Sequence, residues 1–265
     1  MRIAVRSQPQ QEVQWFAEGV RACGDEVVAY DIVRGPPQNV RQVAVWGWRR
    51  GMQFRQRGHE VLVLERAYIG DRFFWTSVGW NGLNNRARFY YEDDAGARWR
   101  EHFAQLMQPW RERDDGYALL IGQVPTDTAV MRIRMDRWLQ QTANFLRRSG
   151  EQVLFRPHPN APNARVTGAE ISQGTLADDF AGASRVVTFN SNAGVESVLA
   201  GIPTYAEDAG SMAYDMATHQ LLESPIRPDR TQWAHRMAWT QWQPEELKSG
   251  AVWARIRTMR EAYRQ

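Results

Sequence analysis

Hydrophobic positions in the first 65 residues alternate between two spacings. Short apolar runs predict strands at Arg2–Arg6, Glu26–Ile32, Gln42–Trp46 and Glu60–Glu65. Between the first two runs, residues 10–22 space their apolar side chains by three and four positions, which predicts an amphipathic helix. Strands that alternate with helices in this way are typical of a parallel sheet covered by helices.

A second block of the same kind begins at residue 117. Strand patterns occur at Tyr117–Val124, Val153–Arg156 and Val186–Phe189, and helical patterns occur at Arg134–Arg148 and Gly194–Leu199. A shorter helical stretch at residues 176–182 follows a threonine, Thr175, which is a candidate N-cap. The fold class that these patterns predict is α/β.

The two blocks predict two Rossmann-like domains, residues 1–114 and 115–240. The tail, residues 241–265, is expected to form a long helix over residues 244–264 that packs back across both domains. Ligands of such sheets bind beyond the carboxyl ends of the strands. We therefore expect the two domains to face each other across a ligand-binding cleft.

Residues 66–88 interrupt the alternation and predict a long ordered loop. The loop combines arginines, aromatic rings and amides, a mixture that suits contacts to a nucleic-acid backbone and stacking on bases. It also suits a sugar-binding wall, and a packed interdomain loop is the structural alternative. A turn at residues 46–51 adds two arginines, and a basic surface turn is the alternative there. The candidate acceptor-binding residues of both segments are Trp48, Arg49, Arg50, Arg72, Trp75, Trp80 and Asn81.

Composition narrows the class of protein. With 265 residues, 43% hydrophobic and 24% charged, the chain is expected to be globular. Lys248 is the only lysine among 33 basic side chains, and arginine is the better bidentate donor to phosphate. A net charge of only +3 means that any nucleic-acid contact must be a local patch. Cys23 is the only cysteine, and no apolar run reaches 18 residues, so we expect a cytoplasmic protein without membrane contact.

Polar side chains follow two of the predicted strands in the second block. The strand Val153–Arg156 leads into Pro157-His158-Pro159, and the strand Val186–Phe189 leads into Asn190-Ser191-Asn192. The second of these passes directly into a helix, whose first N–H groups attract anions. A phosphate site at this edge of the sheet follows from the pattern.

The run from Arg156 to Pro159, together with NSNAGVESVLAGIP at residues 190–203, resembles glycosyltransferases of the GT-B type. It is similar to bacterial capsule sugar transferases with an HP motif, of the Kdo and sialic acid type, and to phage-encoded relatives. The tail QWQPEELKSGAVWARIR resembles their closing helix, and residues 43–85 resemble a segment of the phage proteins. The resemblance implies two facing Rossmann-like domains, a nucleotide-sugar donor, and contacts of His158 and Ser191 to the donor phosphates.

Other residues of this edge have open interpretations. Arg156 is either a phosphate ligand or half of an ion pair at the strand end. Asn192 and the Gly194 backbone either hold a phosphate or cap the helix. Glu196 either accepts a hydrogen bond from a ribose hydroxyl or faces solvent near the positive end of the helix.

Sugar transfer to a hydroxyl benefits from a base that accepts the acceptor proton. Glu65 and Asp71 are the candidates, and the sequence does not choose between them. Their structural alternatives are an ion pair of Glu65 with Arg66 or Arg49, and a loop-shaping hydrogen bond or an ion pair with Arg72 for Asp71. His158 completes the candidate catalytic set.

The functional hypothesis is a monomeric, metal-independent glycosyltransferase whose co-substrate is a nucleotide-sugar, with UDP-linked sugars favoured. Phage DNA with a hydroxymethylated pyrimidine is the preferred acceptor, because of the phage-like segment and its arginines and aromatic rings. Two alternatives stay open. One is transfer to a capsule or surface glycan, and the other is a non-catalytic module that binds nucleotides or nucleic acid.

Overall fold

The computed structural model describes residues 1–7, 10–31, 33–113 and 115–262. The chain divides into two compact units. The first unit comprises Met1–Phe103 and Ala234–Gln265, and the second comprises Ala104–Trp233. The expected border residue 114, the end of the predicted strand at Ile32 and the last two residues of the predicted terminal helix lie outside the described residues. The C-terminal segment belongs to the first unit, and its expected packing across both domains stays a prediction.

Strands and helices alternate through most of both units. The strands are β1 (Arg2–Arg6), β2 (Glu26–Tyr30), β3 (Gln42–Trp46), β4 (Glu60–Arg66), β5 (Thr76–Trp80), β6 (Arg88–Phe89), β7 (Tyr117–Ile121), β8 (Val153–Arg156), β9 (Glu170–Ile171), β10 (Ala183–Thr188), β11 (Thr204–Ala206) and β12 (Gln241–Trp242). The α-helices are α1 (Gln11–Ala22), α2 (Trp48–Gln56), α3 (Ala97–His102), α4 (Met135–Arg148), α5 (Leu176–Gly182), α6 (Ala193–Leu199), α7 (Thr231–Ala238), α8 (Pro244–Ser249) and α9 (Ala251–Ala262). None of the described helices has the length and apolar character needed to cross a membrane.

The first unit contains a seven-stranded sheet with the order β12-β5-β4-β3-β1-β2, and β6 pairs with β5. Strands β2, β1, β3 and β4 are parallel, whereas β5 runs antiparallel to β4 and β12. The prediction of a continuous loop over residues 66–88 is therefore wrong for β5. Gly79 weakens the strand pattern in the sequence. The structure requires a glycine at this position, because a Cβ would lie 2.7 Å from the Phe89 ring. Val78 and Trp80 of this strand pack in the core of the first unit, while Thr76, Ser77 and Gly79 interrupt its apolar pattern.

The core of the first unit has a layer on each face of this sheet. Val13, Phe16 and Val20 of α1 are fully buried, as the helical spacing predicted, and they pack with the buried Trp242 and Trp253 of the C-terminal segment. The other face carries α2 through Phe54. Each layer thus joins residues that are far apart in the sequence.

The C-terminal segment forms two helices, so the prediction of a single long helix is wrong. Gly250 separates α8 from α9 and has a φ of +84°, a left-handed conformation that favours glycine. A Cβ at this position would lie 2.5 Å from the backbone oxygen of Gly19 and 2.6 Å from Cys23 Sγ. The break allows the segment to lie directly on α1.

The second unit contains a parallel five-stranded sheet with the order β11-β10-β7-β8-β9. Helix α4 covers one face through Met135, Leu139 and Leu146, all of which are buried. The predicted cap of α5 is confirmed: Thr175 Oγ1 accepts from the Asp178 amide, and the Asp178 carboxylate accepts from the Thr175 amide. Two strongly apolar layers thus enclose a sheet whose carboxyl ends meet along one edge.

Candidate functional site

Four loops of the second unit leave the sheet at the same edge. They follow β7, β8, β10 and β11, whose strands are parallel neighbours. The second residue of each loop is polar, namely Gln123, His158, Asn190 and Asp208, and Ser191 follows Asn190. We call this set the carboxyl-edge cluster. It occupies the position at which parallel α/β sheets bind ligands.

His158 is half-buried and has a defined orientation. It stands between Pro157 and Pro159, which restrict the backbone, and its Nδ1 accepts a hydrogen bond from the Asn160 amide at 3.0 Å. An acceptor at Nδ1 leaves the proton of the neutral ring on Nε2. The ring can therefore present an N–H donor, as a phosphate oxygen requires.

Asn190 ties three of the loops together. It is buried, its Nδ2 donates to Asp208 Oδ2 at 2.7 Å and to the Ala129 carbonyl at 3.0 Å, and its Oδ1 accepts from Gln123 Nε2 at 2.8 Å. Gln123 Oε1 in turn accepts from the Asn190 amide at 3.0 Å. This network fixes the loops after β7, β10 and β11. Sequence reasoning did not select Gln123 or Asp208, although each is the second residue after its strand, as His158 is.

The start of α6 is closed by internal hydrogen bonds. The Ala193 amide donates to Ser191 Oγ at 3.3 Å, the Gly194 amide to the Ser191 carbonyl at 3.0 Å, and the Val195 amide to the Asn192 carbonyl at 2.8 Å. The sequence pattern predicts that the first N–H groups of this helix attract an anion. These three N–H groups already have acceptors in Ser191 and Asn192, so the expectation is wrong for them. A phosphate bound at this position would have to use side chains or displace the long bond between the Ala193 amide and Ser191 Oγ.

Two further candidates of α6 have structural contacts. A Cβ on Gly194 would lie 3.1 Å from Thr188 Cγ2, so glycine at this position lets the helix approach β10. Glu196 is half-buried, and its Oε1 accepts from Asn192 Nδ2 at 3.1 Å. These contacts orient the turn, and the predicted roles in ligand binding stay predictions.

Arg156 matches its structural alternative. Its Nη1 donates to Asp179 Oδ2 at 2.7 Å, to the Gly174 carbonyl at 2.8 Å and to Ser172 Oγ at 3.0 Å. Asp179 is buried and also accepts from the Ser172 hydroxyl. A buried carboxylate needs such a partner, so Arg156 anchors β8 to α5 and thereby fixes the backbone immediately before His158.

Strand order determines how far apart the predicted phosphate ligands lie. Strand β7 lies between β8, which precedes His158, and β10, which precedes Ser191. Two inter-strand spacings amount to about 10 Å. The ends of the two strands are thus separated by Gly122 and Gln123, and a ligand that contacts both must extend across the end of β7.

The candidate bases lie in the first unit. Glu65 is half-buried near the end of β4, and its Oε1 accepts from the Arg66 amide at 2.9 Å. The Arg66 guanidinium pairs with Glu12 at 3.0 Å. Asp71 is exposed, and its Oδ1 accepts from the Phe73 amide at 2.9 Å. Asp71 therefore matches its structural alternative, a loop-shaping hydrogen bond.

The acceptor candidates after β4 are mostly engaged within the first unit. Trp75 and Trp80 are only 7% and 6% exposed, which removes their ring faces from stacking on an exposed base. Asn81 Oδ1 accepts from the Val61 amide at 2.8 Å, and Arg72 Nε donates to the Ala67 carbonyl at 2.9 Å. These four residues shape and anchor the segment.

The other acceptor candidates lie where β3 passes into α2. Gly47 has a φ of +79° and directly precedes the helix. Trp48 is half-buried and covers Gly51, whose Cβ would lie 2.7 Å from the Trp48 ring. Arg49 is exposed and Arg50 is half-buried. Two cationic side chains thus begin a helix at the carboxyl edge of the first sheet.

No protein-family model matches the chain, and no curated protein sequence matches it. Solved structures do match. The β Kdo 2,7 transferase of KpsC from Thermosulfurimonas dismutans has a TM-score of 0.60 at 15% identity, covering 96% of this chain and 99% of that one. The β Kdo 2,4 transferase of the same KpsC has a TM-score of 0.60 at 16% identity, covering 89% and 90%. The predicted fold class is confirmed: the chain has the α/β fold of GT-B type, with two Rossmann-like sheets.

Proposed function

We propose that this protein is a glycosyltransferase that moves a sugar from a nucleotide-sugar to a hydroxyl of a glycan. The observation that carries the proposal is the orientation of His158, whose Nδ1 is held by a backbone amide so that Nε2 carries the proton. A fixed donor at the carboxyl edge of a parallel sheet suits the phosphates of a nucleotide. The fold that the chain shares with two Kdo transferases supports the same activity.

The proposed chemistry is a direct displacement at the anomeric carbon. The acceptor oxygen forms a bond to that carbon while the bond to the leaving phosphate breaks. His158 Nε2–H stabilises the negative charge that develops on the phosphate, and Ser191 contributes a hydroxyl donor. Glu65 and Asp71 stay the two candidate bases for the acceptor proton.

A glycan acceptor is favoured over DNA. The DNA hypothesis rested on the phage-like segment and on the arginines and aromatic rings of residues 66–88. Two of those rings, Trp75 and Trp80, are buried, while Phe73 and Phe74 are 80% and 43% exposed. The fold that the chain shares with two Kdo transferases is the observation that favours the glycan. Transfer to a hydroxymethylated pyrimidine stays as the competing outcome. Salt separates the two, because DNA binding weakens steeply as the salt concentration rises, whereas binding of a neutral glycan responds little.

Two substitutions of His158 isolate the proposed donor. His158→Asn keeps an acceptor near the position of Nδ1 and removes Nε2, so we expect the turn to persist and kcat/KM to fall by about 10²–10³-fold. His158→Gln places an amide nitrogen near the position of Nε2, and we expect it to retain more activity than His158→Asn. Equal activity of the wild type and His158→Asn would contradict the proposed role.

The donor is identified by thermal shift with UDP-, GDP-, ADP- and CMP-linked sugars. A donor at about 100 times its Kd stabilises the protein by roughly 2.7 kcal/mol. The same mixtures, analysed for released nucleotide and sugar transfer, test the non-catalytic alternative. A protein that only binds nucleotide-sugars would be stabilised by a donor but would release no nucleotide from it, whichever acceptor is added.

A further inference from the structure

Polar atoms without partners gather at the carboxyl edge of the first sheet. Arg6 Nε, at the end of β1, and the Tyr30 hydroxyl, at the end of β2, are buried and lack a hydrogen-bond partner among the described residues. Gln10 Oε1, just beyond the end of β1, is in the same condition. A buried polar group without a partner destabilises the folded state. Arg6 Nε and the Tyr30 hydroxyl, at the ends of two neighbouring strands, are therefore candidates for contact with a ligand.

Strand register brings two of these residues together. Arg6 and Tyr30 are Cα partners in the parallel pairing of β1 with β2, so their side chains project from the same face of the sheet. Tyr30 is 5% exposed, and its ring packs edge-on against Phe54 of α2, with 5.7 Å between the ring centres. Arg6 and Tyr30 thus lie on the face that α2 covers.

The beginning of α2 adds two more cationic side chains. Its first turn contains Arg49 and Arg50, has no acidic residue, and receives no side-chain cap. Cations are unfavourable at the positive end of a helix, where an anion is stabilising. Glu65 Oε2 lies 3.7 Å from a Cβ placed on Gly47, so one carboxylate stands at this helix start, and a bound anion beside Arg50 would add a second negative charge there.

Arg6 and Arg50 both act electrostatically on the Tyr30 hydroxyl. Burial raises the pKa of Tyr30, and the two guanidinium groups oppose that effect without overcoming it. The phenol consequently keeps its proton at physiological pH and can donate it. Neither Arg6 nor Arg50 has a carboxylate partner within the part of the chain that the structure describes.

We propose that Arg6, Tyr30 and Arg50 form a binding site for the oxyanion of an anionic sugar, either a carboxylate or a phosphate. Two guanidinium groups and a phenol supply charged and neutral donors, which suit oxygen atoms that carry a full negative charge. Binding of the anion does not depend on catalysis; only its identification as part of the acceptor rests on the proposed function.

Calorimetric titration of the full chain tests this site without a nucleotide-sugar. The probes are glucuronate, which carries a carboxylate, and glucose 6-phosphate, with neutral glucose as the reference. We expect at least one anionic sugar to bind at least tenfold more tightly than glucose. The tighter of the two anions identifies the charged group that the site prefers.

Two variants and a matched control locate the binding. Tyr30→Phe and Arg50→Ala should each weaken anion binding at least tenfold, whereas Arg55→Ala, an exposed arginine on the same helix, should leave it unchanged. Tyr30→Phe removes a hydroxyl without a partner, so the Tm of the free variant should equal or exceed that of the wild type. Equal binding of anions and glucose by the wild type, or unchanged anion binding in both site variants, would overturn the inference. These titrations measure anion binding alone, so a failure of the proposed sugar transfer would leave their result unchanged.

Discussion

At the scale of single residues, Arg98 concentrates more interactions than its position in a short helix suggests. It is 8% exposed, and its guanidinium carbon lies 4.8 Å from the ring centres of both Trp239 and Trp242. The same group donates to the two carboxylate oxygens of Glu246 at 2.7 and 2.8 Å and to the Gln241 carbonyl at 2.8 Å. One buried cation thus connects α3 to β12 and α8.

Replacement of Arg98 should destabilise the first unit strongly. Arg98→Leu leaves the partly buried Glu246 carboxylate without its partner, and we expect the free energy of unfolding to fall by about 3–5 kcal/mol. Urea denaturation measures this loss. Arg100→Leu, an exposed arginine on the same helix, should cost less than about 1 kcal/mol. Similar losses for the two variants would show that the buried ion pair contributes no more to the free energy of unfolding than an exposed arginine does.

Single residues also differ in whether the sequence alone identifies them as candidates for the site. His158 and Ser191 were selected as candidates because polar residues follow two clearly apolar strands, and their roles stay predictions. Gln123 and Asp208 were missed because neither belongs to a motif, and only the observed network identifies them. Trp75 and Trp80 were misassigned because the sequence does not distinguish an exposed aromatic residue from one that fills a core.

At the scale of elements, the first turn of α3 depends on a carboxylate. Asp94 accepts from the Arg98 amide at 2.8 Å and from the Gly96 amide at 2.9 Å. Burial alone raises the pKa of Asp94, but these backbone donors outweigh burial and hold the pKa below its usual value. The ionised form is therefore bound more strongly by the folded state than by the unfolded state.

This shift predicts a pH-dependent contribution to stability. Because the folded pKa is depressed, the contribution is complete above the unfolded pKa of about 3.9 and is lost as the pH falls through the folded value. Asp94→Ala should lower the free energy of unfolding by about 1 kcal/mol at pH 7. The difference from the wild type, measured by urea denaturation from pH 7 to 3, should shrink below about pH 4. A difference of constant size over that range would contradict ionisation of Asp94 as its source.

Elements differ in how well the sequence predicted them. The bounds of β1, β3 and β8 were predicted correctly, since parallel strands that are buried on both faces are continuous apolar runs. Strand β5 was missed because Thr76, Ser77 and Gly79 interrupt its apolar pattern, although Val78 and Trp80 are buried in the core. The C-terminal helix was predicted as continuous because Gly250 lies inside a helical pattern, and the close approach of Gly19 that requires a glycine there is a tertiary contact.

At the scale of the whole molecule, the two units differ in continuity. The second unit is one uninterrupted segment, Ala104–Trp233, whereas the first requires both ends of the chain. The C-terminal segment supplies Trp242 and Trp253 to the core of the first unit, where each is at most 1% exposed. Burial of a large apolar side chain contributes about 1.5–3 kcal/mol. The burial of a few such residues therefore contributes a free energy comparable to a large part of the roughly 5–15 kcal/mol net stability of a typical domain.

Deletion of residues 234–265 should therefore unfold the first unit and spare the second. We expect the truncated chain 1–233 to lose the cooperative thermal transition of the first unit, followed by circular dichroism, while the fragment 104–233 unfolds in a single transition of its own. Residues 234–265, added as a separate chain, should restore the missing transition, because Phe16 and Trp253 then regain their edge-to-face contact at 5.8 Å between ring centres. A first unit that unfolds cooperatively without the C-terminal segment would mean that these tryptophans cover a core that is already complete.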